Sequence, residues 1–104
     1  MFQFIKNIIS TEEPVDLAEF HRNGAKIIDV RTSGEYKSGH IKGSLNIPLQ
    51  SLSNSLNKLN PTEPFIVCCA SGARSSSAKR LLKTNGFENV ENGGGWQYLK
   101  SILD

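Results

Sequence analysis

The sequence predicts an α/β protein with a central parallel sheet of about five strands and helices on both faces. Short runs of β-branched and other apolar residues recur along the chain, and segments with helical apolar spacing separate them. Strands that alternate with helices form parallel sheets, and both faces of such sheets are covered. The length of 104 residues predicts one domain, residues 1–104.

The first predicted elements are a short strand at residues 8–10 and a helix after it. Thr11 is a candidate N-cap for this helix, and Pro14 fits its first turn. Gly24 is expected to end the helix, because glycine adopts the left-handed backbone found after helix ends.

The next predicted strands are residues 26–30, a β-branched run, and residues 44–47, which Pro48 ends. A polar turn at residues 32–39 is expected between them. An amphipathic helix should follow, because leucines recur at helical spacing and leave serines on the opposite face. These leucines are Leu49, Leu52, Leu56 and Leu59.

The second half begins with residues 64–69, the most apolar run and the expected central strand. A loop at residues 70–74 precedes a helix at 75–85. A short strand at 89–92 and three glycines lead to a last helix from about Trp96. In a parallel sheet, ligands bind at the carboxyl ends of the strands, so the loop at 70–74 is the expected site.

Composition limits the function classes. A net charge of +2, without a long basic run, gives no reason to expect nucleic acid or an anionic membrane as a partner. The apolar start of the chain is too short to span a membrane and makes a poor signal peptide. The two cysteines are too few for a disulfide framework. We therefore expect reduced thiols and a cytoplasmic protein.

The adjacent residues Cys68 and Cys69 are expected to point in opposite directions, because side chains alternate along a strand. Cys68 should pack in the core and be inert. Cys69 stands where the strand ends, so it is the candidate nucleophile. A redox role for the pair is a weaker alternative, since a disulfide between adjacent cysteines strains the backbone.

The residues after Cys69 favour its thiolate. Ala70, Ser71, Gly72 and Ala73 are small enough for a tight loop whose backbone N–H groups converge on an anion. The start of the next helix adds unpaired amides and its positive dipole end, and Arg74 adds a full charge. These effects should depress the pKa of Cys69. The alternative is an ordinary strand-to-helix turn with a solvated arginine.

These motifs resemble those of rhodanese-type sulfurtransferases. The segment CASGARS, residues 69–75, is similar to the active-site loop of that family. The segment IIDVRTSGEYKSGHIKGSLNIPL, residues 27–49, is similar to a second family signature, and GFENVENGGG, residues 86–95, resembles its last strand and glycine turn. The resemblance spans nearly the whole chain and implies a single-domain rhodanese fold.

The resemblance implies sulfur transfer through a persulfide on Cys69, with no separate cofactor and no metal. The Cys69 thiolate would take the outer sulfur of a donor such as thiosulfate and pass it to cyanide or a thiol. Arg74 would attract the anionic donor, and the amides of residues 70–74 would hold the persulfide. The physiological donor is left open, because Ala70, Ser71 and Ala73 carry no charge that would select one.

Two rival functions remain. The first is a persulfide carrier that hands sulfur to one protein acceptor with little turnover of its own. The second is a phosphatase or arsenate reductase related by fold. The loop of those enzymes is one residue longer than the four residues, 70–73, that separate Cys69 from Arg74. The shorter loop also holds no acid for a leaving alcohol, which disfavours this rival.

A group of polar residues at the end of the 26–30 strand and in the turn after it is expected to be structural. Asp29 and Arg31 project to the same side of the strand end, near the active edge, and a network of charge-assisted hydrogen bonds with Glu35 and His40 would fix the turn. The family resemblance supports this structural role over a catalytic one. The spacings of the histidines and cysteines do not predict a zinc site.

Overall fold

Four parallel strands form one sheet across residues 14–104, the part of the chain that the computed structural model describes. The strands are β1 (Lys26–Asp29), β2 (Leu45–Asn46), β3 (Pro64–Cys69) and β4 (Asn89–Gly95), and their spatial order is β2-β1-β3-β4. The predicted α/β class and parallel sheet are confirmed. The sheet has four strands rather than about five; the strand predicted at residues 8–10, like Thr11, lies outside the described residues.

Helices cover both faces of the sheet, as predicted. They are α1 (Leu17–Arg22), α2 (Ser33–Lys37), α3 (Leu49–Leu52), a 3₁₀ turn at Leu56–Lys58, α4 (Ala73–Thr84) and α5 (Trp96–Leu103). Leucines of α3 and α4 join a core cluster on one face, whereas α1 and α5 contribute to a second cluster on the other face. Across residues 14–104, no helix combines the length and the apolar character needed to cross a membrane.

Strand β3 supplies side chains to both clusters. Phe65, Val67 and Cys69 lie in the cluster under α3 and α4, whereas Ile66 and Cys68 lie in the cluster under α1 and α5. The strand pairs with β1 on one side and β4 on the other, so it is the central strand. The prediction that the two cysteines face opposite sides of the sheet is confirmed.

The segment predicted as a polar turn, 32–39, contains the short helix α2. A capping box starts it: the Thr32 hydroxyl accepts the Glu35 N–H at 3.2 Å, and the Glu35 carboxylate accepts the Thr32 N–H at 2.9 Å. This reciprocal pair satisfies two N–H groups that a helix start leaves without partners. None of the five residues of α2 is buried, so apolar periodicity could not reveal the helix.

The predicted leucine helix is broken after Leu52. Its four leucines pack against the core as expected, but α3 has four residues and a separate 3₁₀ turn begins at Leu56. The Ser55 hydroxyl donates to the Ser51 carbonyl at 2.9 Å, and the Ser55 N–H donates to the Leu52 carbonyl. Serines that bond to nearby backbone in this way compete with a regular helix.

The bounds of two further elements differ from the prediction. Helix α1 starts at Leu17, because the Asp16 carboxylate accepts the Glu19 N–H at 3.1 Å and caps it; Pro14 precedes the helix. Gly24, with φ +111°, follows the helix end as predicted. Strand β4 continues through the three glycines to Gly95, because Gly94 and Gly95 pair with Cys68 and Cys69 after a register shift that skips Gly93.

Glycine at position 95 is required by close packing against the loop that follows β3. A Cβ there would lie 2.8 Å from the carbonyl oxygen of Ala70, a backbone atom, although the φ of −70° suits any residue. Gly95→Ala should therefore lower the free energy of unfolding by about 1–3 kcal/mol in urea titrations.

Gly34→Ala is the matched control. Gly34 lies in α2, and a Cβ added at this position would meet no atom within 4 Å beyond its chain neighbours and its own helix backbone. Alanine also favours helix over glycine by up to about 1 kcal/mol. The control should be neutral or stabilising, and equal losses in both variants would contradict the steric explanation.

Candidate active site

The connection from β3 to α4 forms a tight loop at the carboxyl end of the sheet. Cys69 is the last residue of β3, and Gly72 precedes α4 with φ +110°, in the left-handed region that glycine adopts without strain. Helix α4 therefore begins at Ala73, two residues earlier than predicted. Arg74 lies in the first turn of this helix rather than in the loop.

The Cys69 sulfur lies at the centre of this loop. Its Sγ accepts the Gly72 N–H at 3.0 Å and the Ser75 N–H at 3.3 Å, and it lies 3.4 Å from the Ser75 hydroxyl. Only 1% of the residue is exposed. The predicted convergence of backbone amides on this sulfur is thus present in the structure.

These hydrogen bonds favour the thiolate of Cys69. Burial raises the pKa of the thiol, but hydrogen bonds from the Ser75 hydroxyl and from the amides of Ser75, Gly72 and Ser71 outweigh burial. The net effect is a pKa below the ordinary value, in the predicted direction. A depressed pKa increases the fraction of thiolate at a given pH, and the thiolate is the nucleophilic form of cysteine.

Arg74 contributes differently from what the sequence predicts. Its guanidinium forms a two-pronged ion pair with Glu35, with Nη1–Oε1 and Nη2–Oε2 distances of 2.8 and 3.0 Å. The Arg74 hydrogen bond is the main reason that the pKa of Glu35 falls to about 2. Glu35 in turn is the main cause of the raised pKa of Arg74, with a smaller contribution from Cys69. The charge expected to support the thiolate is therefore largely balanced by a carboxylate.

Cys68 lies in a different environment from its neighbour. The residue is fully buried, and burial is the main cause that raises the pKa of its thiol to about 12. Both cysteines are free, and their side chains lie in core clusters on opposite faces of the sheet. This arrangement disfavours the redox-pair alternative, because a disulfide needs its two Cβ atoms directed toward each other.

Asp29 and Arg31 form a buried ion pair near the loop. The Asp29 carboxylate accepts from Arg31 Nε at 2.9 Å and from Nη2 at 2.7 Å, and the two residues are 0% and 4% exposed. Arg31 also donates to the carbonyls of Glu35 and Gly39, and its guanidinium lies 4.7 Å from the centroid of the Trp96 ring. Asp29 and Arg31 thus form the charge-assisted hydrogen bonds that the sequence predicts for them, whereas Glu35 contributes only its backbone carbonyl and pairs its carboxylate with Arg74.

His40 does not join that network. Its exposed ring stacks on Tyr36 with a centroid distance of 3.7 Å, and its Nδ1 lies 2.7 Å from the Tyr36 carbonyl oxygen. It therefore stabilises the turn locally. Among residues 14–104, no three His, Cys, Asp or Glu side chains cluster in a way that could hold a metal ion.

Sequence reasoning assigns Ser75 only to the helix start and overlooks Asn92. The neutral Cys69 thiol donates to the Ser75 oxygen at 3.4 Å, and the Ser75 hydroxyl then donates its single proton to Asn92 Oδ1 at 2.7 Å or the Gly72 carbonyl at 3.0 Å. When Cys69 ionises, that proton can turn to the sulfur, which is how the hydroxyl favours the thiolate. Asn92 Oδ1 also accepts the Gly94 N–H at 2.8 Å, which fixes the amide orientation. Ser75 thus links Asn92 of β4 to the Cys69 sulfur. The sequence feature that could have identified Ser75 as a site residue is its position directly after Arg74.

The buried ion pair should be essential for folding. Asp29→Asn keeps the side-chain shape but leaves the buried Arg31 charge without its counter-charge, which should lower the free energy of unfolding by about 3–5 kcal/mol in urea titrations. Glu63→Gln is the control: it breaks the exposed pair with Lys26 and should cost less than about 1 kcal/mol. Similar losses in both variants would contradict this ranking.

Ser75 should lower the pKa of Cys69. Ser75→Ala removes the hydroxyl but keeps the backbone amide, so the pKa of Cys69 should rise, as measured by ultraviolet thiolate absorbance during a pH titration in a Cys68→Ser background. Ser76→Ala changes an exposed serine one position later in the same helix and should leave the titration unchanged. An unshifted titration in the Ser75 variant would show that the hydroxyl has no such effect.

Comparisons with known proteins agree with this geometry. A family model for the Rhodanese-like domain matches residues 13–101. The thiosulfate sulfurtransferase PspE of Escherichia coli is 36% identical over 70 residues, which are 65% of this chain and 67% of PspE. The structure of the human single-domain sulfurtransferase TSTD1 superposes with a TM-score of 0.73 at 25% identity, covering 80% of this chain and 88% of TSTD1.

A third relative is longer than this chain. YrkF of Bacillus subtilis, named as a candidate sulfur carrier protein, is 41% identical over 66 residues, which are 64% of this chain and 36% of YrkF. The match to YqhL of the same organism likewise covers 54% of that protein. The family model, together with the sulfur-centred loop described above, establishes that this chain belongs to the rhodanese-like domain family, as the motifs predict.

Proposed function

We propose that this chain is a sulfurtransferase that carries a sulfane sulfur as a persulfide on Cys69. The observation that carries the proposal is the position of the Cys69 sulfur, which accepts amide hydrogen bonds at 3.0 and 3.3 Å from Gly72 and Ser75. The family contains proteins named thiosulfate sulfurtransferase, which supports sulfur transfer as the general reaction.

The first step is attack by the Cys69 thiolate on the outer sulfur of a donor such as thiosulfate. A new bond forms between Sγ and that sulfur, the S–S bond of thiosulfate breaks, and sulfite leaves with the bonding electron pair. A thiol or cyanide then attacks the outer sulfur of the persulfide, and the Cys69 thiolate leaves. As in thiol–disulfide exchange, the thiolate fraction and the leaving group set the rates. Apart from the covalent intermediate on Cys69, the sequence of steps needs no cofactor.

The loop suits both states of the sulfur. The start of α4 holds the amides of Gly72 and Ser75 in place. Gly72 also packs beside β4: a Cβ built on it would lie 3.6 Å from the Cα of Gly94. Donors fixed in this way need no reorganisation when negative charge moves to the outer sulfur. The helix start adds the positive end of its dipole. The same groups therefore stabilise the thiolate before the transfer and the persulfide anion after it.

A sulfur carrier is the second candidate. A carrier needs the same persulfide loop and differs only in passing the sulfur to one protein acceptor. The identity to a candidate sulfur carrier protein, YrkF, favours this version, as does the balanced charge of Arg74, which gives a small anionic donor a weak attraction. The two free thiols suit a reducing compartment such as the cytoplasm for either version.

Mass spectrometry after treatment with thiosulfate tests the proposal. The wild-type protein and the Cys68→Ser variant should each gain the mass of one sulfur atom, because Cys68 is buried on the opposite face. The Cys69→Ser variant should gain none. An unmodified wild-type protein with phosphatase turnover, or sulfur retained on the Cys69 variant, would overturn the proposal.

Assays on the protein that carries a persulfide on Cys69 distinguish a sulfurtransferase for small molecules from a sulfur carrier. Rapid turnover of thiosulfate with cyanide would identify an enzyme that uses small molecules. Slow turnover, together with efficient transfer of the isotope-labelled persulfide sulfur to one protein, would identify a carrier.

A further inference from the structure

Arg31 and Arg74, the two arginines described at the candidate site, are both paired with carboxylates. Ala70, Ser71 and Ala73 are uncharged, so the loop surface itself gives a donor no charge to bind. Arg31 is buried against Asp29, and Arg74 is held by both oxygens of Glu35. The side chains of Arg74 and Glu35 are 36% and 38% exposed, so a solute can reach this second pair, and Arg74 is close enough to Cys69 for the sulfur's charge to help raise the pKa of the arginine.

Pairing changes which donors the site attracts. The Coulomb energy between two groups grows in proportion to each charge, so a dianion such as thiosulfate gains most from a free cation. The carboxylate of Glu35 removes most of that gain, because it balances Arg74 at a distance of 2.8 Å. A singly charged donor loses about half as much. Glu35 therefore acts against the dianion more strongly than against a monoanion.

An apolar groove lies beside the same arginine. It has a volume of about 230 Å³ and is lined by Val30, Thr32, Pro48, Leu49, Gln50 and Arg74. Val30 belongs to the core cluster that contains Cys69, so the groove adjoins the face of the sheet on which the sulfur lies. An organic group on a sulfur donor would bury apolar surface there, whereas the oxyanion of thiosulfate would not.

We propose that Glu35 is the residue that sets donor specificity: by balancing Arg74, it favours singly charged organic sulfane-sulfur donors over the dianion thiosulfate. This inference rests on the proposed sulfur transfer through Cys69. It assigns Glu35 a role in addition to its structural one, because the hydrogen bond of the same carboxylate to the Thr32 N–H already caps α2.

Methanethiosulfonate is the matched probe for thiosulfate. It carries the same sulfane sulfur on a sulfonyl group but has a methyl group in place of one oxyanion, and hence one negative charge less. The Cys69 thiolate forms the same bond to the outer sulfur, the S–S bond breaks, and methanesulfinate leaves with the electron pair. Both donors thus produce the same persulfide from the same nucleophile.

The experiment compares the two donors in four proteins: wild type, Glu35→Gln, Arg74→Gln and the double variant. The measured quantity is the ratio of kcat/KM for thiosulfate to kcat/KM for methanethiosulfonate, with one acceptor. Any change in the pKa of Cys69 cancels in this ratio, because the nucleophile is common to both reactions. Glutamine also retains the capping box of α2, so Glu35→Gln should fold.

The ratio should rise about two- to fivefold in Glu35→Gln, which leaves Arg74 without a counter-charge, and fall by a similar factor in Arg74→Gln. The double variant restores a neutral pair of side chains and should return close to the wild-type ratio. High salt should reduce both changes, because the groups are partly exposed. Glu63→Gln, at an exposed ion pair with Lys26, should leave the ratio unchanged.

An unchanged ratio in both single variants would overturn the assignment of Glu35 while leaving the persulfide on Cys69 intact, as would equal shifts in Glu63→Gln. If neither donor places sulfur on Cys69 in wild type, the proposed function fails and this inference fails with it. The mass spectrum of each donor-treated protein separates these two outcomes.

Discussion

The carboxyl end of the sheet, where the candidate site lies, depends on one buried cation, the guanidinium of Arg31. It binds the Asp29 carboxylate in strand β1, the carbonyl of Glu35 in helix α2 and the carbonyl of Gly39 in the turn beyond, and it lies against the Trp96 ring at the start of α5. Four segments of the chain thereby meet at one charge. A buried cation without these partners would be strongly destabilising. The four segments must therefore take up their positions around Arg31 at the same time.

The hydrogen bond from Arg31 to the Glu35 carbonyl positions helix α2 and with it the Glu35 side chain. Five residues give a helix too short to be stable by itself, so its capping box and its contact to Arg31 hold it. The Glu35 side chain then reaches Arg74 in the first turn of α4. The Asp29–Arg31 pair is thus linked through α2 to the Glu35–Arg74 ion pair. Neither Asp29 nor Arg31 forms a hydrogen bond with the Cys69 sulfur.

The parts of the site that the sequence predicts are those governed by local rules. Alternation along β3 separates Cys68 from Cys69, and small residues before a helix predict amides around the second sulfur. The parts that it does not predict depend on distant residues. Glu35 and Arg74 are 39 positions apart, and Ser75 and Asn92 are 17 apart. Local rules predict a full charge from Arg74 next to the thiolate, but its counter-charge comes from a helix that shows no apolar period.

In the resulting site, the Cys69 thiol titrates, whereas the groups that stabilise its thiolate keep a constant protonation state near neutral pH. The amides of Gly72 and Ser75 do not titrate, and the Arg74 hydrogen bond holds the pKa of Glu35 near 2. Because that pKa is depressed, the stabilisation from the ion pair is complete above the ordinary carboxyl range and is lost as the pH falls toward 2. Near neutral pH both the hydrogen bonds and the charge balance are constant. The pH dependence of the proposed first transfer step should then report on the Cys69 thiol itself, because in the proposed reaction only the thiolate attacks the donor.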